Sequence, residues 1–164
     1  MAVKRFRTST TLLENKQVSL ETRTSRYILD PYKRRSSTEL KSVDTNGTET
    51  LTLSPGELLM HALGSCLALT AKAQSENMQI QLNSFKVDVT GEVDIDATKA
   101  DLANVHSGLS RIIKTYYIDA DNSADEIKAF IDTVEAVCPI HATLKNPGDF
   151  QTKIIHESKA DDLN

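Results

Sequence analysis

The spacing of apolar and polar residues divides the chain into three regimes. In the first, Gln17 to Glu21 (QVSLE) places Val18 and Leu20 on one face. Arg26 to Asp30 (RYILD) follows and is closed by Pro31, and Thr48 to Leu53 (TETLTL) alternates again. A period of two predicts three short, half-buried strands. In the second regime, Leu58 to Ala71 is apolar or small on every face of a 3.6-residue turn. Ser54, Pro55 and Glu57 supply an N-cap, a first-turn proline and the acid of a capping box, so Ser54 to Gln74 predicts a helix. A helix apolar all round is a buried one. In the third regime, Gln79 to Ile95 alternates at length, with Asn83-Ser84 and Gly91 marking a bulge or bend. Leu109 to Ala120 is its natural partner strand. Ser123 and Glu126 form a second capping box, and Ile127, Phe130, Ile131 and Val134 recur at helical spacing up to Cys138-Pro139. Pro139 then predicts a short helix over Ile140 to Lys145, and Phe150 to His156 predicts a closing strand.

Between these elements the chain is polar. Residues 1–15 are expected to be loosely ordered, Tyr32 to Asn46 a solvated loop ending at Asn46-Gly47, Lys99 to Ser107 a connection and 159–164 a tail. Strands in antiparallel runs separated by single helices indicate an α+β fold, with one domain over 16–158. A helix apolar on all faces needs cover on both sides, and one sheet covers one side. A second subunit is the expected source of the other.

Composition narrows the partners. The chain has 164 residues and a formal net charge of −4, which argues against a nucleic acid. The long apolar stretch is too short and too interrupted, by Glu57, His61 and Lys72, to span a bilayer. The first ten residues carry cations but no apolar h-region follows, so a cytoplasmic location is expected. There, two cysteines serve redox chemistry or stay reduced rather than forming a structural staple.

Those cysteines, Cys66 in the apolar helix and Cys138 before Pro139, are the chemical inventory. Cys66 is either a small core hydrophobe or a reactive thiol. Burial disfavours the thiolate, and the helix dipole fades before Cys66, so reactivity requires a cation from elsewhere. Arg23, Arg26, Arg34 and Arg35 are the upstream suppliers. Cys138, at a helix start, faces free N–H groups that favour a thiolate, unless it is only a cap. Glu57 has its capping role and, beyond it, that of holding an arginine. His61 is a hydrogen-bonded histidine or a pocket wall. His61 and Cys66 are five apart, about 140° around a helix, so Cys66, Cys138, His61 and His141 do not make a closed zinc site. There is no Gly-rich phosphate loop and no nucleophile-elbow serine.

SPGELLMHALGSC, followed about seventy residues later by VCPIHATLKNP, resembles the OsmC/Ohr family, named for osmotically inducible protein C and organic hydroperoxide resistance protein. TRTSRYILDP and VTGEVDID resemble further strands of that family. The resemblance implies an intertwined α+β homodimer, antiparallel sheets around a buried central helix, and a cysteine-based peroxidase without cofactor or metal. By motif position Cys66 matches the peroxidatic cysteine and Cys138 the resolving one, forming a disulfide that a cellular dithiol reduces. Arg23, then Arg26, match the activating arginine. One branch carries a glutamate directly after the proline; here that position is Gly56 and the acid is Glu57, about 100° away around the helix. A pocket of Leu58, His61, Leu63 and Leu67 is expected to receive an organic hydroperoxide. The rival reading is a non-catalytic dimer of the same fold that binds a small ligand or senses redox state.

Overall fold

A computed structural model of the chain describes residues 8–12, 18–21, 26–29, 42–43, 49–51, 53–93 and 108–154. Five short strands come first: β1 (Ser9–Leu12), β2 (Val18–Glu21), β3 (Arg26–Leu29), β4 (Ser42–Val43) and β5 (Glu49–Leu51). They form one sheet in the order β1-β2-β3-β5-β4, antiparallel except for the parallel β3–β5 pair. β1 lies inside the segment expected to be loosely ordered. Its ladder with β2, from Ser9 opposite Glu21 to Leu12 opposite Val18, orders residues whose polar composition gave no signal. β4 likewise adds a strand within the expected loop, pairing with β5.

Helix α1 (Pro55–Asn77) starts where the capping box places it. Ser54 Oγ accepts from the Glu57 N–H at 3.2 Å, and Glu57 Oε2 accepts from the Ser54 N–H at 2.7 Å. Leu63, Leu67, Ala71 and Ser75, four apart, form its buried stripe. The other faces are open in the single chain: Leu59 is 38% exposed and Leu69 74%. The expectation of a helix buried all round is therefore met on one side only, because the elements packed on α1 reach only that side. After α1, Gln79 takes a left-handed φ of 56° and turns the chain into the next strand.

β6 (Leu82–Val93) and β7 (Leu109–Ala120) form a long antiparallel hairpin against α1. Its register shifts between Leu82 and Ser84 and between Glu92 and Val93, beside the positions marked for a bulge or bend. Phe85, Val87 and Val89 of β6 and Ile112 and Tyr116 of β7 pack against the core. Gly91 permits close approach, since a Cβ there would stand 3.0 Å from Met60 Sδ and 3.1 Å from Leu109 Cδ2. Helix α2 (Ala124–Val137) is capped by Ser123 and Glu126, and α3 (Pro139–Lys145) follows. The core is Leu63, Leu67, Ala71, Ile80, Phe130, Val134 and Cys138. The fold is α+β, as expected, with antiparallel pairing throughout apart from β3–β5.

The closing strand does not form. Phe150 to Ile154 has no strand pairing, and Phe150 and Ile154 are 91% and 87% exposed. Alternation alone does not make a strand, because a strand without a partner leaves its backbone groups unsatisfied. Residues 155–156 of that expectation lie outside the described residues, as does the Lys99 to Ser107 connection.

Leu67, fully buried in this core, should be costly to truncate. Leu67→Ala is expected to lose about 2–5 kcal/mol of stability in urea melts, and an unchanged midpoint would contradict its place in the core.

Candidate functional site

The break between α2 and α3 is written in two residues. Proline disfavours helical backbone in the residue before it, and Cys138 is accordingly extended at φ −70° and ψ 115°. That corner brings Cys138, fully buried, against half-buried Cys66 on α1. The Cys138 thiol donates to Cys66 Sγ across 3.2 Å. A disulfide is about 2.05 Å, so both are free thiols within a small displacement of bonding. Burial pushes the Cys138 thiol above its usual range, and the neighbouring Cys66 sulfur acts in the same sense. The N–H groups of Ile140 and His141 pull the other way without forming a complete cap hydrogen bond. The expectation that the helix start favours a Cys138 thiolate is thus corrected: desolvation outweighs it.

Beside the corner lies a polar cluster that the residue-level reading did not assemble. Glu135 Oε1 accepts from Lys114 Nζ at 2.6 Å and from the Tyr116 hydroxyl at 2.7 Å. Lys114 Nζ also stands 3.2 Å from His141 Nε2, and His141 Nδ1 stands 2.7 Å from the Glu135 carbonyl oxygen. Burial works to raise the Glu135 carboxyl, but the hydrogen bonds from Lys114 and Tyr116 outweigh it and hold the group below its usual range. Burial and the adjacent carboxylate push the Tyr116 phenol up. The sequence leaves the β7 register open: alternation through Leu109, Arg111, Ile113, Thr115 and Tyr117 is as regular, but Ile113 and Tyr117 are exposed and Lys114 lies on the inward face with Ile112 and Tyr116. A cation on an inward face needs a partner.

The other expected site residues scatter. Leu63 borders a recess of about 280 Å³ with Ile112, Lys114, His141 and Leu144. His61 is exposed and lines a separate open groove of about 790 Å³ with Glu57, Met60 and Val89. Leu58 is half-buried, and Leu67 is core and lines neither cavity. Glu57 lies nine residues before Cys66, about 13 Å along the helix axis, and its carboxylate accepts from the Ser54 N–H and hydroxyl. Arg23, Arg34 and Arg35 lie outside the described residues. Arg26 is the first residue of β3, and its side chain lies outside them too.

Glu135 sets an acid dependence. A carboxyl depressed in the folded state adds stability above the ordinary carboxylate range, which is lost as pH falls through the depressed value. The stability gap between wild type and Glu135→Gln should therefore narrow between about pH 7 and about pH 3 in urea melts. A gap constant across that range would contradict the ion pair.

Comparison with known proteins identifies the family. Residues 47–153 match the OsmC-like protein family. A hydroperoxide reductase of Mycoplasma pneumoniae is 34% identical over 100 residues, spanning 61% of this chain and 66% of that protein, just under two thirds. The crystal structure of an OsmC-like protein from Mycoplasma pneumoniae superposes with a TM-score of 0.67 at 26% identity, covering 88% of this chain and 89% of that one. An OsmC-like protein of Vibrio cholerae, 10% identical, shares the fold at a TM-score of 0.57 over 86% of this chain and 94% of its own. The match to residues 47–153 takes in α1, the β6–β7 hairpin and both cysteines: the chain belongs to the OsmC-like protein family.

Proposed function

We propose that this protein is a homodimeric thiol peroxidase that reduces organic hydroperoxides through Cys66 and Cys138. The observation that carries the reading is the pair of free thiols with sulfurs 3.2 Å apart, one on the central helix and one at a helix corner. The relative named hydroperoxide reductase supports the substrate class.

The Cys66 thiolate attacks one oxygen of the O–O bond. That oxygen stays on sulfur as a sulfenic acid, and the other leaves as an alkoxide that takes up a proton to become the alcohol. The Cys138 sulfur then attacks the Cys66 sulfur, the hydroxyl leaves with the Cys138 proton as water, and a disulfide forms. A dithiol reductant restores both thiols by exchange and is itself oxidised to a disulfide. Arg23, or after it Arg26, supplies the cation that stabilises the Cys66 thiolate, with Glu57 orienting it. The hydroperoxide enters on the side of Leu63, with Leu67 backing that wall and Leu58 and His61 lying farther along the helix. No cofactor takes part.

Dimerisation is supported by the exposed side of α1. Leu59 and Leu69, apolar residues of the helix that carries Cys66, are exposed in the single chain. Covering such a face with a second copy removes apolar surface from water.

Two outcomes test this reading. Cys66→Ser should abolish hydroperoxide-dependent dithiol oxidation while the chain stays folded, whereas Cys138→Ser should stop at a sulfenic acid on Cys66. Turnover retained in Cys66→Ser would sink the assignment. Light scattering should give a mass twice the 18.1 kDa of one chain, and the mass of a single chain would refute the dimer.

A further inference from the structure

Pro139 leaves a specific vacancy. In α2 the carbonyl of residue i accepts from the N–H of residue i+4, and the last such bond at the corner runs from the Cys138 N–H to the Val134 oxygen at 3.0 Å. The next carbonyl in line is that of Glu135, whose helical donor would be residue 139. Proline has no N–H. His141 fills the gap, with Nδ1 at 2.7 Å from that oxygen. A carbonyl only accepts, so Nδ1 carries the proton and Nε2 presents its lone pair. Lys114 Nζ, which only donates, stands 3.2 Å from Nε2 and agrees with that tautomer.

The two ends of Glu135 are therefore tied to different elements. Its carboxylate is held by Lys114 and Tyr116 of β7, and its carbonyl by His141 of α3. Cys138 lies between Glu135 and His141 in the chain, so the loop closed by this hydrogen bond contains the thiol. We propose that His141 is a positioning residue for Cys138: by donating from Nδ1 to the Glu135 carbonyl, it locks the α2–α3 corner in the geometry that presents Sγ to Cys66. This deepens the peroxidase reading and rests on its assignment of Cys138 as the partner of Cys66. His141 touches no reacting atom in that scheme.

The test is the dithiol–disulfide equilibrium in glutathione buffers. One glutathione disulfide is reduced to two glutathiones as Cys66 and Cys138 lose their protons and bond. The fraction of disulfide is read by thiol alkylation and intact mass, with no peroxide present. His141→Ala should lower the equilibrium constant for disulfide formation by about tenfold, the worth of one hydrogen bond to a partly buried carbonyl. His141→Asn, which keeps a donor at the δ position, should stay near wild type. His141→Gln, whose amide sits one atom farther out, should fall with the alanine variant. Circular dichroism on each variant separates this from loss of fold, which a purely structural residue would show without an asparagine rescue. A wild-type constant in His141→Ala, or equal losses in all three variants, would overturn the proposal. So would a wild-type chain that forms no intramolecular disulfide in any buffer. Failure of wild type to turn over hydroperoxide, with the equilibrium pattern intact, counts against the peroxidase reading alone.

Discussion

A ring without an N–H governs the working corner of this protein. Pro139 ends α2, holds Cys138 in an extended conformation and removes the donor that the Glu135 carbonyl would have used. An uninterrupted helix would carry residue 138 onward along the α2 axis. The break turns Cys138 back against α1, where its sulfur meets Cys66 at 3.2 Å. The corner is then rebuilt with side chains: His141 supplies the missing donor, and Glu135 anchors the arrangement to Lys114 and Tyr116. Both cysteines of the chain meet at this corner.

The second governing feature is the mismatch between α1 and its own chain. Its buried stripe is one residue wide, Leu63, Leu67, Ala71 and Ser75, while Leu59 and Leu69 remain in contact with solvent. The β6–β7 hairpin covers one side, and among the described residues the five-stranded sheet packs on neither α1 nor the hairpin. With α2 and α3 added, the described elements still leave Leu59 and Leu69 uncovered. Phe150 to Ile154 has the alternation of a strand but none of its pairing.

Much of this was legible in local chemistry. Both capping boxes form as Ser54, Glu57, Ser123 and Glu126 imply, because a cap depends only on residues three apart. The long strands and the α2–α3 break follow from alternation and from one proline. β1 and β4 were missed because short polar strands are made by their neighbours and carry no pattern of their own. The Lys114–Glu135–His141 cluster was missed for a related reason. Its members sit 6 to 27 positions apart and meet only once β7, α2 and α3 are packed. Local spacing also misjudged Cys138: a helix start favours a thiolate, but complete burial acts against it and is a tertiary property.

In the proposed chemistry Cys66 and Cys138 act as one redox unit on hydroperoxides. Its most direct measurement is titration of the anaerobically purified protein with one equivalent of cumene hydroperoxide, following free thiols and intact mass. The expected result is rapid loss of both thiols, a mass lower by two hydrogens, and release of the corresponding alcohol. Thiols that stay reduced, or that oxidise no faster than free cysteine, would contradict it.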